Sequence, residues 1–264
     1  MKTILFSILA LGVLGALFGA LLAYASRIFF VDTDPREEKV RQCLAGANCG
    51  GCGFPGCSNY AAAIVAGKAP VNKCVPGGEG TAEKISAIMG LQTVKTEIKF
   101  AFVRCSGGTG IAEPRFNYSG PLDCRSAMLF GGKDNKLCTF ACIGFGNCTR
   151  VCKFGAILIE NGVAVVDRTK CAGCGACVEE CPKKIITLIP KEQRVMPACS
   201  SKDKGAQVNK MCKAGCIGCM KCQRECPAGA IKVVDNLASV DASLCTGCGH
   251  CAEVCPRKII TFLS

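Results

Sequence analysis

The chain has no tryptophan and a single histidine, His250, among 264 residues. One histidine is too few for a Rieske centre, which needs two, so His250 reads as a solvent-facing residue near a ligand loop. There is no Ser-His-Asp, Cys-His or paired-carboxylate arrangement to carry nucleophilic or acid–base chemistry. The Gly-rich stretch Ser106 to Gly110 has neither a Gly-Lys-Ser/Thr ending nor a G-x-G-x-x-G pattern, so it reads as a turn and not a phosphate cradle. No twin arginine is present to mark export of a folded metalloprotein. No residue is assigned a catalytic role.

Cysteine is what the chain has in excess, with 25 residues. In a short secreted protein that number suggests a disulfide scaffold. Here the cysteines fall at tight x2 spacings, which favours gathering round metal over pairing across a fold. Zinc is the next alternative, but zinc sites group two C-x2-C pairs and often recruit histidine. Four-cysteine runs ending in Cys-Pro belong to bacterial ferredoxins, in which the fourth cysteine ligates the other cluster of the pair.

The organising stretch reads Cys138-x3-Cys142-x5-Cys148-x3-Cys152, then Cys171-x2-Cys174-x2-Cys177-x3-Cys181-Pro182. It recurs downstream without a gap, as Cys212, Cys216, Cys222 and Cys226, then Cys245, Cys248, Cys251 and Cys255. The expected fold class is therefore α+β: a single N-terminal transmembrane helix, a small four-iron domain and two tandem bacterial-type two-cluster ferredoxin modules. Asn161-Gly162 between two apolar runs, Ala156 to Glu160 and Val163 to Asp167, predicts a hairpin. In the second module the runs Ile231 to Asp235 and Ala238 to Asp241 flank Asn236-Leu237. The expected boundaries are 1–31 for the anchor, 32–90 for the four-iron domain and 91–135 for a connecting segment. Module 1 takes 136–190, a linker 191–210 and module 2 211–264.

Ligand assignments follow the repeat. Cys49, Cys52, Cys57 and Cys74, at C-x2-C-x4-C-x16-C spacing, form one four-iron site, with glycines that let backbone amides approach sulphur. Cys43 just upstream reads as a spare buried thiol. In module 2 the sites are Cys216, Cys219, Cys222 with Cys255, and Cys226 with Cys245, Cys248, Cys251. Module 1 departs from the pattern: Phe145 stands where module 2 has Cys219, and Lys153 replaces the proline found at Pro182, Pro227 and Pro256. The nearest substitute ligand is Cys138, which gives Cys138, Cys142, Cys148, Cys181, and then Cys152, Cys171, Cys174, Cys177. Subtraction leaves Cys105, Cys124, Cys199 and Cys212 for a sixth cluster. The expected cofactors are thus five [4Fe-4S] clusters and a sixth.

The formal charge of +12 resembles a nucleic-acid or acidic-membrane signature, but it counts every thiol as neutral. An oxidised four-iron cluster with its thiolates carries roughly −2, so six would bring the holo-protein to about zero. No nucleic-acid partner is expected.

Ile4 to Ala25 is uncharged and apolar over about the ~20 residues that span a bilayer. Gly15 and Gly19 give it a small-xxx-small face. Ala23-Tyr24-Ala25 resembles a signal-peptide cleavage site, yet the run is long and only Lys2 precedes it. Arg27, Arg36, Lys39 and Arg41 follow, so the positive-inside rule predicts a single-pass anchor in the cytoplasmic membrane with the cluster domains on the cytoplasmic side. Beyond it, Asp34-Pro35 opens a short helix within a charged segment from Asp32 to Gln42. Tyr60 to Ala66 and Thr81 to Gly90 read as helices, and Ile98, Phe100 and Phe102 alternate as in a strand.

An apolar anchor, then Asn48-Cys49-Gly-Gly-Cys52-Gly-Phe-Pro-Gly-Cys57 with a Cys74-Val-Pro-Gly-Gly tail, then paired ferredoxin modules, resembles the B subunit of the Rnf electron-transport complex. Asp203-Lys204-Gly205 after Cys199-Ser200-Ser201 is similar to that family's linker. The resemblance covers essentially the whole chain. It implies a subunit of a membrane-bound, ion-translocating ferredoxin:NAD oxidoreductase. Such a subunit takes electrons from soluble ferredoxin and relays them to membrane, flavin-bearing and NAD-binding subunits. The alternative is a membrane-tethered polyferredoxin of another hydrogenase, formate or reductase complex.

Overall fold

The computed structural model describes residues 2–29, 34–92, 98–129 and 135–263. Asp32 and Thr33 of the expected charged segment, and parts of the expected connector, lie outside the described residues.

The first helix, α1 (Lys2–Ile28), contains a 20-residue window, Leu9–Ile28, of mean hydropathy 2.0 with none of it buried inside the protein. It is long and apolar enough to cross a bilayer. A compact helical domain follows. In α2 (Pro35–Cys43) the Asp34 carboxylate caps the backbone N–H of Arg36, and Pro35 occupies the first turn. Helix α3 (Cys57–Val65) and α4 (Gly78–Met89) complete it, and α4 ends on Gly90 in the left-handed conformation that closes helices. Val40, Tyr60, Ile64, Val71 and Ile85 form its core, with Cys74 buried among them. Tyr60 fixes the loop to Cys74, donating from its hydroxyl to the Pro70 carbonyl at 2.7 Å and accepting from the Lys73 N–H at 2.9 Å.

Two similar α+β units follow. The first contains β1 (Lys99–Val103), α5 (Cys124–Leu129), α6 (Asn147–Arg150), β2 (Ile157–Glu160), β3 (Val163–Val166), α7 (Ala176–Glu180) and β4 (Ile186–Pro190). The second contains β5 (Val195–Pro197), α8 (Gly205–Met211), α9 (Lys221–Arg224), β6 (Ile231–Val234), β7 (Leu237–Val240), α10 (His250–Glu253) and β8 (Ile260–Phe262). Each unit has an antiparallel hairpin, β2–β3 or β6–β7, and a second antiparallel pair, β1–β4 or β5–β8, made by a strand from before the cysteine runs. The segments expected as connector and linker thus supply a strand to each unit. In β1 the buried residues are Phe100, Ala101 and Val103 and not the predicted alternation, because Ala101 and Val103 pack on the hairpin residues Ile157 and Val163 while Phe100 packs on Ile189 and Leu263.

The first hairpin turns on Asn161 and Gly162, both at positive φ (48° and 71°), as a tight two-residue turn requires. The second turns one residue earlier than expected, on Asp235 and Asn236 (φ 50° and 61°), which frees Leu237 to enter β7 as a buried residue. The unit cores mix cysteine with Ile, Val and Ala: Ile157, Ile185 and Ile186 surround Cys142, Cys148, Cys177 and Cys181, and Ile231, Ile259 and Ile260 surround Cys216, Cys222 and Cys251. Units this small bury too little apolar surface to be robust alone, so what the cysteines hold is part of the core.

Candidate metal centres

None of the cysteines is paired in a disulfide. Among the described residues no three His, Cys, Asp or Glu side chains close tightly enough to hold a single metal ion. The thiols instead face one another in larger groups.

Cys105, Cys138, Cys199 and Cys212 line one space between the two units. Cys124, Cys142, Cys148 and Cys181 line another, and Cys216, Cys219, Cys222 and Cys255 a third. Cys177 faces Cys171, Cys174 and Cys152, while Cys251 faces Cys226, Cys245 and Cys248. In the helical domain Cys52, Cys57 and Cys74 gather on one core, with Cys49 in the loop before Cys52. Cys43, expected as a spare buried thiol, is only half-buried and packs on the same core as Cys52, Cys57 and Cys74. Its carbonyl accepts from Thr81.

The structure groups the thiols of two expected sets differently. Cys138 does not join Cys142, Cys148 and Cys181, and Cys124 does not join Cys105, Cys199 and Cys212; the two residues exchange places. Proximity in sequence suggested Cys138, but the substitution at Phe145 explains the swap. Phe145 stacks on Tyr118 at 5.1 Å between ring centres and packs on the small core of Cys124, Ala127 and Ile143. The residue that displaces a cysteine therefore anchors α5, which brings another. Asn147 completes the attachment. This buried amide accepts from the Cys124 N–H at 2.8 Å and donates to Asp123 at 2.7 Å and to Glu180, beside Cys181, at 3.1 Å.

Cys138 is free for the central group because that group is built twice over from equivalent positions. Cys105 follows β1 as Cys199 follows β5, and Cys138 matches Cys212 in the repeat. The environments match too. Cys105 Sγ accepts the N–H of Gly107 and of Cys142, each at 3.3 Å, and Cys199 Sγ accepts the N–H of Ser201 and of Cys216, each at 3.4 Å. The predicted turn at Ser106 to Gly110 is thus the cradle of a sulphur atom.

The groups form one succession. The helical domain touches the first unit where Gly51 lies on Cys174: a Cβ at Gly51 would sit 2.7 Å from the Cys174 carbonyl oxygen. Lys153, the second departure from the ferredoxin run, donates to the Asn48 carbonyl at 2.6 Å across the same contact. Cys177 then shares a buried core with Cys148 of the next group. The Cys142 N–H leads to Cys105 of the central group, and the Cys216 N–H leads from Cys199 to the group beyond. Cys222 shares a buried core with Cys251 of the last.

The donor sets fit polynuclear iron–sulphur centres. Burial, reinforced by neighbouring thiols, pushes Cys148 and Cys177 up to about 12 and Cys138, Cys222 and Cys251 up to about 11. Four such groups cannot ionise together unless a cationic core compensates them, and a metal deprotonates a coordinating thiol outright. Backbone N–H groups aimed at sulphur, as at Cys105, Cys152, Cys171 and Cys199, are the hydrogen bonds that tune such centres. His250 is exposed, 3.4 Å from Glu253, and outside every group.

The comparisons with known proteins agree with this chemistry. Residues 44–76 match a family described as "Putative Fe-S cluster", and residues 141–186, 170–230 and 215–259 match 4Fe-4S dicluster domains. The chain is 45% identical, over 99% of its length and 78% of the relative's, to the B subunit of the Na(+)-translocating ferredoxin:NAD(+) oxidoreductase complex of Acetobacterium woodii. It is 42% identical, over 96% of both, to the B subunit of the ion-translocating oxidoreductase complex of Methanosarcina acetivorans. It is 40% identical, over 98% of its length and 93% of the relative's, to the proton-translocating counterpart of Clostridium ljungdahlii. Identity at this level over nearly the whole chain places the protein in the family of B subunits of the Rnf-type ion-translocating oxidoreductase complexes.

Proposed function

We propose that the chain is the electron relay of an ion-translocating ferredoxin:NAD oxidoreductase complex, taking electrons from reduced soluble ferredoxin and delivering them to membrane and flavin-bearing subunits. The observation that carries this reading is the unbroken succession of thiol groups from the helical domain to the last unit. It is supported by the family and by the names of its relatives.

Six [4Fe-4S] clusters, one per group, would supply one-electron redox chemistry when bound. In order they are held by Cys49, Cys52, Cys57, Cys74; then Cys152, Cys171, Cys174, Cys177; then Cys124, Cys142, Cys148, Cys181; then Cys105, Cys138, Cys199, Cys212; then Cys216, Cys219, Cys222, Cys255; and finally Cys226, Cys245, Cys248, Cys251. The protein's own part is to fix these positions, aim N–H groups at sulphur and keep water out. Two tandem ferredoxin modules thereby become one continuous path through the central group.

Direction follows from the two ends. The helical domain lies next in the chain to α1, so the Cys49 group is the delivering end beside the membrane. The second unit carries the exposed cysteines Cys219 and Cys248 and forms the receiving end for a soluble carrier. With Arg27, Arg36, Lys39 and Arg41 following α1, the receiving end faces the cytoplasm.

The test is ferredoxin-dependent NAD reduction by the assembled complex carrying Cys171→Ala or Cys245→Ala. The relay predicts that either change abolishes turnover while the complex still assembles. Unchanged turnover removes the proposal.

A further inference from the structure

A lysine is set in the interior between the two central thiol groups. Lys136 is 8% exposed, and its Nζ donates to the carbonyl oxygens of Cys142 at 2.8 Å, Gly107 at 2.9 Å and Gly162 at 3.1 Å. Three acceptors are satisfied by the three N–H bonds of an ammonium, a group that donates only. Among the described residues no carboxylate pairs with it. A buried charge without a counter-charge is costly, so compensation must come from the groups it adjoins.

Its acceptors identify those groups. Gly107 lines the space among Cys105, Cys138, Cys199 and Cys212, and Cys142 belongs to the neighbouring group of Cys124, Cys148 and Cys181. Cys142 also donates its N–H to Cys105 Sγ. One peptide and one ammonium therefore join the two sites. The third acceptor, Gly162, belongs to the hairpin turn, whose Asn161 carbonyl accepts from the Thr109 N–H at 2.7 Å in the Cys105 loop.

Resting on the cluster reading above, we infer that Lys136 is a positioning residue: a fixed positive charge shared by the two central clusters that raises their reduction potentials above what their thiolates alone would give. One-electron reduction adds one negative charge to a site, and a cation held nearby in a poorly screened interior favours that state. The effect belongs to one side of the repeat. The equivalent residue in the second unit, Lys210, is exposed at the end of α8, so the Cys216 group has no matching buried ammonium from that position. This buried ammonium has no counterpart from the same position in the second unit, where the Arg257 guanidinium, which donates to the Cys212 carbonyl, lines the Cys216 group instead.

The experiment is an anaerobic redox titration of the full-length, iron-loaded protein in detergent, followed by electron paramagnetic resonance. Wild type is compared with Lys136→Gln, which keeps amide donors without charge, Lys136→Arg and Lys210→Gln. In Lys136→Gln two centres should become harder to reduce by at least about tenfold in the reduction equilibrium, or ~59 mV for one electron. The other centres should stay in place, Lys136→Arg should largely restore both, and Lys210→Gln should move none. Unshifted potentials in Lys136→Gln at full iron content overturn the inference. If Lys136→Gln loses iron while Lys136→Arg retains it, the charge is needed to hold the clusters, which supports the role. Loss in both variants shows a role in loop geometry alone and overturns it. Cys105→Ala separates the underlying reading: if it changes neither iron content nor spectrum, the central cluster is absent and this inference falls with it.

Discussion

Phe145 and Lys153 each break the ferredoxin pattern, and each makes a contact that the regular residue would not. Phe145 removes a ligand and anchors the helix that brings Cys124, and Lys153 removes a proline and grips the helical domain. Both substitutions are visible in the sequence as irregularities against the second copy. What they do is not, because Cys124 lies among residues with no counterpart in the second unit: Cys105 and Cys138 are 33 positions apart, Cys199 and Cys212 only 13. That difference in loop length was the one available signal for reassigning Cys124. Asn147 tests the attachment. Asn147→Leu removes the acceptor for the buried Cys124 N–H and the donor to Asp123 and Glu180. It should lower stability by about 1–3 kcal/mol, read from the denaturant midpoint, and weaken retention of iron by the Cys124 group. An unchanged midpoint and iron content would show that α5 is held some other way.

Among the helices and strands, local patterns were legible and long-range pairings were not. The capped start at Asp34-Pro35, the apolar α1 and the Asn161-Gly162 hairpin each follow from a few adjacent residues. The pairing of β1 with β4 and of β5 with β8 joins segments far apart in sequence, and nothing in the local pattern specifies it. The same holds for the contact between the helical domain and the first unit. It depends on Gly51 having no side chain, since any Cβ there meets the Cys174 backbone. A substitution to Val should push the two apart by overpacking. Hydrogen exchange of residues 47–52 and 171–175 should then speed up, while the hairpins keep their protection. Equal exchange in both proteins would place the domain contact elsewhere.

Across the full chain, duplication explains more than either copy does. Each unit supplies half of the central group, so the path between units is made from pseudo-equivalent residues and not from a linker. The charge fits the same picture: the +12 of the bare chain is close to what six anionic centres of roughly −2 would offset. The most direct test is an iron anomalous-scattering map from crystals of the anaerobically purified protein. The account predicts six four-iron clusters, with one framed by Cys105, Cys138, Cys199 and Cys212 and another by Cys124, Cys142, Cys148 and Cys181. A map with no iron in the first of these, or with Cys138 rather than Cys124 bound beside Cys142, would contradict it.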